Sequence, residues 1–350
     1  MATAEVIRLA NWNVEMDRAG PGLLARDIAK GGDPQIEAAL RVLAVLDADV
    51  ILLTGFDHDH DRVAARLFAD RLGEVIAPYP HVFALRPNTG MQTGLDLDLD
   101  GRLGGPGDAQ GWGRFSGQGA MAILSRLAVD EAAVRDFSGF LWADLPGALL
   151  HDGMTDEVRR IQRLATTGHW EVPLILPDGG RLRLLAWHAT PPVFGGAEGR
   201  NARRNHDEAA FWLALFDGLL PMPPPEPPFV MLADSNMDPE DGDGLPDAIR
   251  ALLAHPALND VRPRGSQGRT EPGHRGDPAL DTAVFVATGG LRVDLVVPGA
   301  GLEVVGAGVL WPAESPVQSP AETSAGADPL WRDLQAASRH FPVWVDLVAP

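Results

Sequence analysis

The sequence predicts a fold that combines buried strands with amphipathic helices. Short apolar runs such as Ala48–Leu53 and Phe229–Leu232 are typical of strands inside a sheet. Residues 36–46 place isoleucine and leucine at helical spacing. A chain of 350 residues with 45% hydrophobic residues can form a substantial core, as one large domain or as two ordinary ones.

The composition excludes several classes of protein. The net charge of −19 disfavours a nucleic-acid binder, which usually carries a basic stripe. With no cysteine, disulfides, thiolate metal sites and cysteine nucleophiles are excluded. No apolar run reaches the roughly 18 residues of a membrane span, and the N-terminus does not resemble a signal peptide. We therefore expect a cytoplasmic protein, secreted only if a leader was removed, and the sequence indicates no specific protein partner.

The first part of the chain alternates strands and helices. Val6–Glu15 begins as an alternating strand. Asp33 and Pro34 have the character of an N-cap and a first helical residue. The strand Ala48–Leu53 follows, and then a helix that we expect to end near Leu72.

Residues 87–118 form a loop rich in glycine and aspartate. Compact domains seldom contain so long a loop unless it is functional or disordered. Asp96, Asp98 and Asp100, followed by glycine, match the first half of a calcium-binding loop, but the twelfth position is Gly107 rather than glutamate. The 96–108 segment is therefore either a Ca²⁺ site or a solvated acidic loop.

The middle of the chain predicts a strand over 119–126, a helix over 155–164, and a hairpin. The hairpin strands are residues 169–176 and 181–187, joined by a Pro-Asp-Gly-Gly turn. The proline-rich stretch 221–228 is a stiff connector. Because strands continue on both sides of it, we interpret it as a link between two halves of one sandwich.

A basic cluster stands out in this acidic chain. Arg200, Arg203 and Arg204 precede a helix that contains Phe211 and Trp212. They are candidates for contacting a substrate phosphate, and a solvated helix start explains them equally well.

The last third predicts a helix over 243–253 and strands over 291–297 and 302–310. Asp294 lies inside the first of these strands and needs a partner, because burying a bare carboxylate is costly. A loop containing His340 leads into a terminal strand.

Polar side chains recur at the predicted strands: each follows or lies in a buried strand, or, for His340, leads into one. They would converge at one rim if the strands share a sandwich. These residues are Asn13, Glu15, His188, Asp234, Asn236, Asp294 and His340. Carboxylates take protons or bind metals, and amides hold oxygens without adding charge. Taken singly, Asp-x-Asn is more typical of an Asx turn, and each histidine is as well explained as a satisfied core residue.

The ordered set resembles the endonuclease/exonuclease/phosphatase superfamily, which has the deoxyribonuclease-I-like fold. The matching motifs are Asn11–Glu15, Asp49–Leu53, Gly119–Arg126, the strand ending at His188, Ala233–Asn236, Arg292–Asp294 and Ser338–Val343. The segments 190–194 and 203–208 and the Gly/Asp-rich loop resemble a bacterial branch of it. The resemblance implies an α+β fold, a four-layer α/β/β/α sandwich of two mostly antiparallel sheets packed face to face. It also implies a single domain over 1–350 with residues 87–118 as an insertion.

The resemblance also implies metal-dependent hydrolysis of phosphoester bonds. Asn13 and the nearby acid Glu15 would place Mg²⁺ or Mn²⁺. The catalytic set would be Asp234 to orient or deprotonate the water, Asn236 to hold Asp234 or a phosphate oxygen, Asp294 to hold His340, His340 to bind or protonate the phosphoryl group, and His188 on the leaving-group side.

Two positions depart from the superfamily pattern. Gly55 stands where a metal-binding glutamate is usual, and Arg339 stands where the last motif usually has aspartate. The site thereby becomes about three charges more positive, which should weaken a hard divalent cation. Asp57 or Glu15 could compensate as metal ligands, and Arg339 could clamp phosphate directly.

Three hypotheses follow. The first is a phosphoester hydrolase with a weakened metal site, acting on a small or lipid-like phosphoester rather than duplex DNA, because the surface is acidic. The second is a catalytically impaired relative that binds an anion or a partner, favoured by Gly55 and Arg339. The third is a calcium-stabilised extracellular protein, which the 96–108 loop favours and the missing signal peptide disfavours.

Overall fold

The computed structural model describes residues 5–266, 271–312 and 328–350. The strands are β1 Val6–Met16, β2 Val50–Phe56, β3 His81–Phe83, β4 Ala120–Ser125, β5 Ala128–Val129, β6 Arg135–Asp136, β7 Gly168–Ile175, β8 Arg181–His188, β9 Phe229–Asp234, β10 Ala283–Phe285, β11 Gly289–Leu291, β12 Asp294–Pro298, β13 Val304–Val309 and β14 Val343–Val348. The helices are α1 Leu23–Lys30, α2 Pro34–Leu46, α3 Val63–Gly73, α4 Asp156–Arg159, α5 Arg200–Phe216, α6 Asp247–Leu253 and α7 Pro329–Ala337.

Two six-stranded sheets account for most of the strands. The first has the order β13-β14-β1-β2-β4-β3. The second has the order β12-β9-β8-β7-β5, with β6 also paired to β7. One neighbouring pair in each sheet is parallel, β1 with β2 and β8 with β9, and the other pairs are antiparallel. A separate hairpin consists of β10 and β11.

The sheets pack face to face and helices cover their outer faces. Successive side chains of a strand point to opposite faces, so the second sheet contributes to two cores. Leu184 of β8 belongs to the core between the sheets, together with residues of α1, α2, α3 and α7. Its neighbour Leu185 belongs to the core beneath α5 and α6. The predicted four-layer α/β/β/α sandwich is therefore confirmed.

Local sequence signals explain the best-predicted elements. Asp33 caps α2 by accepting hydrogen bonds from the backbone N–H groups of Gln35 and Ile36, with Pro34 at the first helical position. Every residue of β2 is buried, as its continuous apolar run predicts.

Several elements differ from the sequence-based expectation. The helix expected over 155–164 is α4, of four residues, because Arg163 bridges to Leu141 instead. The expected helix over 243–253 begins only at Asp247, and the strand expected over 302–310 spans Val304–Val309. Helices α1 and α7 have no counterpart in the sequence-based expectation.

The proline-rich link 221–228 was misinterpreted as joining two halves of the sandwich. It connects α5 to β9, and both elements belong to the second half of the molecule. Among the helices of the described ranges, none is long and apolar enough to cross a membrane. The single-domain organisation and the cytoplasmic location stay predictions.

Candidate active site

Three polar residues lie side by side at the end of the second sheet because of its strand register. His188 of β8 is the parallel partner of Asp234 in β9, and Asp234 is the antiparallel partner of Asp294 in β12. Asn13 reaches them from the facing sheet, and its Nδ2 donates a hydrogen bond of 2.7 Å to Asp234 Oδ2. The sandwich thus brings together residues that are far apart in the chain.

Asp234 is fully buried and held by hydrogen bonds on both carboxylate oxygens. Its Oδ2 accepts from Asn13, and its Oδ1 accepts from the backbone N–H of Asn236 at 3.0 Å. His188 Nε2 lies 3.4 Å from Asp234 Oδ2. Burial raises the pKa of Asp234 against the attraction of His188. The carboxyl group is therefore better able to take a proton than an exposed aspartate.

His340 and Asp294 form a buried pair. His340 Nδ1 lies 2.7 Å from Asp294 Oδ2. Burial alone would lower the pKa of His340, but the charge of Asp294 and its hydrogen bond raise it to about 9. Trp12 Nε1 donates to the carbonyl oxygen of His340, and the backbone N–H of His340 donates to Ser338 Oγ. The structure therefore holds an imidazolium at a fixed place next to Asp234.

His188 and Asn236 complete this rim. Burial lowers the pKa of His188, so its imidazole is neutral at pH 7, and its Nδ1 has no hydrogen-bond partner in the structure. Asn236 has a positive φ of 49°, and its Nδ2 donates to the carbonyl oxygen of Ala189 at 2.9 Å. Asn236 thereby ties the Asp234 turn to the segment that follows His188.

Glu15 and Arg339 form an ion pair next to Asn13. The Arg339 backbone N–H donates to Glu15 Oε2 and its Nε donates to Oε1, both at 2.8 Å, and Nη2 also donates to Oε1. Burial would raise the pKa of Glu15, but the hydrogen bonds from Arg339 and the charge of His340 lower it below its usual value. The predicted metal ligand and the predicted phosphate clamp are therefore partners of one ion pair.

Gly55 has no room for a side chain. Its φ is +64°, and a Cβ there would lie 2.3 Å from Asn13 Oδ1. The same Asn13 Oδ1 accepts a hydrogen bond of 3.0 Å from the backbone N–H of Glu15. The pairing of β1 and β2 shifts register at this point, and a glycine of positive φ is suited to such an irregularity.

The residues around Asn13 do not fit a divalent cation. The nearby carboxylate of Glu15 is neutralised by Arg339, and Gly55 offers no ligand. The ligand atoms of Asp234, Asp294 and His340 lie within 4.8 Å of one another. Because the imidazolium of His340 has no free lone pair, the two carboxylates are the donors that fit a divalent cation. Asp294 Oδ1 is buried and has no hydrogen-bond partner in the structure. A weakened metal site in this chain is thus best matched by the carboxylate pair of Asp234 and Asp294.

Asp57, the other predicted substitute ligand, lies outside this group. It is buried, and its carboxylate accepts from the backbone N–H groups of Arg18 at 2.8 Å and Gly119 at 2.9 Å. Burial raises its pKa to about 6. The structure places it as a brace between two loops.

Two of the arginines predicted to bind phosphate have other partners. Arg204 is buried, and its guanidinium donates to the carbonyl oxygens of Gln110, Arg163, Leu164 and Ala165. Arg203 Nε donates to the carbonyl oxygen of Glu198 at 3.1 Å.

Residues 87–118, the predicted insertion, hydrogen-bond to the rest of the chain through Asn88 and Gln110. They form one wall of a cleft of about 620 Å³ that includes His188. Within the insertion, the acidic group with metal-like spacing is Asp96, Asp98 and Asp108. Asp100, expected as a third calcium ligand, instead accepts from the backbone N–H of Arg102. Trp112 and Phe194 also line the cleft. Neither was predicted as a site residue. The sequence signal was the length of the loop for Trp112 and the resemblance of segment 190–194 to the superfamily for Phe194.

Comparison with known proteins places the fold. The Endonuclease/Exonuclease/phosphatase family matches residues 10–340, whereas no curated protein matches the chain. An endonuclease/exonuclease/phosphatase from Beutenbergia cavernae is 18% identical with a TM-score of 0.54, covering 98% of this chain and 71% of its own. The mannosyl-6-phosphatase Bt3783 of Bacteroides thetaiotaomicron is 12% identical, covering 98% of this chain and 100% of its own, with a TM-score of 0.51. The human Nocturnin catalytic domain with bound sulfate anion is 13% identical with the same TM-score, covering 98% and 93%. The strand order, the polar rim and the nearly full-length match together show that this chain belongs to the endonuclease/exonuclease/phosphatase family.

Proposed function

We propose that this protein hydrolyses phosphoester bonds by in-line attack of a water molecule activated at Asp234. The observation that carries the proposal is the row formed by His188, Asp234 and the Asp294–His340 pair at one end of the second sheet. It combines a buried carboxylate of raised pKa, a fixed imidazolium and a neutral imidazole. These are the groups that a phosphoryl transfer needs as base, charge stabiliser and leaving-group partner.

The steps balance with the residues at hand. The water oxygen attacks phosphorus and gives its proton to Asp234, while the bond from phosphorus to the leaving oxygen breaks. The imidazolium of His340 stabilises the charge on the phosphoryl oxygens. His188 Nε2, 3.4 Å from Asp234 Oδ2, takes the proton from Asp234 and gives it to the leaving oxygen, so both residues return to their starting charge. The products are a neutral alcohol and inorganic phosphate from a monoester, or a phosphomonoester from a diester.

Mg²⁺ or Mn²⁺ belongs to this proposal as a weakly held ion. Family members typically use a divalent metal, and the carboxylates of Asp234 and Asp294 are the groups that would hold it here. When bound, it supplies positive charge to the phosphoryl oxygens. Because Glu15 is paired with Arg339 and Gly55 has no side chain, we expect low affinity.

The substrate is proposed to be a small or lipid-like phosphoester rather than duplex DNA. The net charge of −19 repels polyanions, and the predicted phosphate-contacting arginines Arg204 and Arg339 already have partners in the chain. The phosphatase among the relatives of similar fold supports a small substrate.

The experiment is hydrolysis of an aryl phosphomonoester and an aryl phosphodiester with Mg²⁺, Mn²⁺, Ca²⁺ or chelator. We expect turnover that Asp234→Ala lowers by about 10³-fold or more, the scale of losing a base and its electrostatic support. Asp178→Ala, in an exposed turn, is the matched control. A folded protein that cleaves neither compound with any of these ions contradicts the proposal.

A second candidate function has its own supporting observation. The Glu15–Arg339 pair lies where a metal would be expected, which suits a relative that binds an anion or a partner without turnover. In that case phosphate in chelator raises the melting temperature, and Arg339→Asp abolishes the rise. No shift with phosphate argues against it.

The Ca²⁺ prediction for the 96–108 loop is also retained, with Asp108 in place of Asp100. Asp98 is the variant to test, because Asp108 already accepts hydrogen bonds from the backbone N–H groups of Leu97 and Gly105. Calcium should raise the melting temperature of the wild type and not of Asp98→Asn. A calcium-insensitive melting temperature removes the site.

A further inference from the structure

The cleft beside His188 has two walls from different parts of the chain. One wall is the insertion, which contributes Thr89, Asp98 and Trp112. The other is the segment after β8, which contributes Phe194 and the start of α5. Its volume of about 620 Å³ lies in the range of small-molecule sites. A group leaving from phosphorus on the His188 side enters this space.

The charged side chains that line the cleft have partners within the protein. Arg204 donates to four backbone carbonyl oxygens. Arg200 donates to the carbonyl oxygen of Leu97, and its nearby charges include Asp98. Asp17 accepts from Gln118 Nε2 at 2.7 Å. A leaving group with a further phosphate would thus meet acidic side chains and arginines already bonded elsewhere, which disfavours it.

Two aromatic side chains lie in the same cleft with unusual exposure. Trp112 is 57% exposed and Phe194 is 88% exposed. Phe194 also has a φ of +66°, a region that a bulky residue rarely adopts without a constraint. The hydrogen bond from Asn201 Nδ2 to the carbonyl oxygen of the preceding Val193, at 2.7 Å, supplies a constraint. Exposed aromatic side chains that line a cleft are suited to stacking against a flat ring.

We infer that the substrate is a phosphoester whose leaving alcohol carries a single uncharged aromatic ring, held in this cleft by Trp112 and Phe194. The inference rests on the proposed hydrolysis and adds the substrate class. It makes Trp112 and Phe194 specificity-determining residues that contact the leaving group and take no part in bond breaking.

The test compares benzyl phosphate with cyclohexylmethyl phosphate. Both leave as ordinary alkyl alcohols, so a difference in kcat/KM reports the flat ring and not the leaving-group pKa. We expect a preference of about tenfold for benzyl phosphate, the scale of one favourable aromatic contact. Trp112→Ala and Phe194→Ala should each bring the ratio close to one, mainly through KM. Leu103→Ala is the control, because Leu103 is 69% exposed in the same insertion and does not line the cleft.

Binding provides a readout that does not need turnover. Benzylphosphonate has no ester bond to break, and it should raise the melting temperature more than cyclohexylmethylphosphonate does. If neither ester is hydrolysed but this difference is present and lost in Trp112→Ala, the cleft assignment stands and the hydrolysis proposal fails. Equal hydrolysis of both esters, or equal binding of both phosphonates, overturns the inference.

Discussion

Glu15 and Arg339 form an ion pair between the end of β1 and the loop that leads into β14. Two N–H groups of the guanidinium donate to Glu15 Oε1, and the Arg339 backbone N–H donates to Oε2. The Arg339 side chain is 61% exposed and that of Glu15 is 21% exposed, so the pair contributes little to global stability. The ion pair instead affects metal binding. It uses the carboxylate that would otherwise be the natural replacement for the acid missing at Gly55.

Releasing Glu15 should restore metal affinity. Arg339→Asp removes the guanidinium and places a second carboxylate near Glu15, so the variant should be less stable in chelator and recover with Mn²⁺ or Mg²⁺. At ten times its dissociation constant, an ion adds about 1.4 kcal/mol to the free energy of unfolding. Thermal melts with and without ion measure this. Arg26→Asp, at an exposed position on α1, is the control, and an identical metal response in both variants would contradict the prediction.

Adding a side chain at position 55 should destabilise the protein rather than rebuild a metal site. Both Gly55→Glu and Gly55→Ala put a Cβ against Asn13 Oδ1, and we expect each to lose roughly 1–3 kcal/mol of stability from overpacking. The loss at position 55 has two causes, the positive φ and the contact with Asn13 Oδ1. Gly31→Ala measures the first cause alone, because Gly31 has a φ of +68° with open space around its Cβ position. Urea unfolding of the three variants gives the difference. A Gly55→Ala variant no less stable than Gly31→Ala would contradict the prediction, because the ends of β1 and β2 would then move apart without a loss of stability.

The charge on His340 should set the alkaline limit of activity. Its pKa of about 9 is raised above the ordinary value, so the imidazolium is present at neutral pH and lost above about pH 9. Its stabilising contribution is likewise complete below about pH 6.5 and lost as the pH rises through 9. Asp294→Asn removes the main cause of the raised pKa and leaves burial, which lowers the pKa of His340. The alkaline limb of the pH–rate profile should therefore move to lower pH.

Proton NMR of the His340 ring and pH–rate profiles measure this shift. His255→Gln, which changes a histidine beside Asp217 outside the site, should leave the profile unchanged. If Asp294→Asn keeps the alkaline limb near pH 9, another group carries the charge.

Glu208 should make stability fall as the pH rises from about 4.5 towards neutrality. Burial raises the pKa of Glu208 to about 7, although Arg204 and the backbone N–H groups of Thr166 and Thr190 favour its charged form. A carboxyl group with a raised folded pKa contributes fully below its unfolded value of about 4.5, and the contribution is lost through pH 7. Glu208→Gln should therefore show a smaller decrease in the urea midpoint between pH 5.5 and 8.5. An unchanged decrease would assign the pH dependence to other groups.

Much of the fold could be predicted from local patterns. The apolar run of β2 and the Asp33-Pro34 start of α2 are local signals, and the structure confirms both. Helix α1 was missed because it lacks a side-chain cap, its N-cap being Gly22 in a left-handed conformation. Position 163 pairs in a bridge rather than a helix because a long-range partner, Leu141, overrides the local preference.

By itself, the sequence determined which polar residues lie at, within or next to buried strands, and therefore the candidates His188, Asp234, Asp294 and His340. Strand ends are readable because the period of burial is local. Only the tertiary structure decided that Glu15 is paired with Arg339, that Arg204 is bonded to backbone carbonyl groups, and that Trp112 and Phe194 line one cleft. Those relationships join residues tens to hundreds of positions apart, and the charge left free at the site depends on them. The identity of a charged residue predicts what it can do, and its partner determines whether it remains available to a ligand.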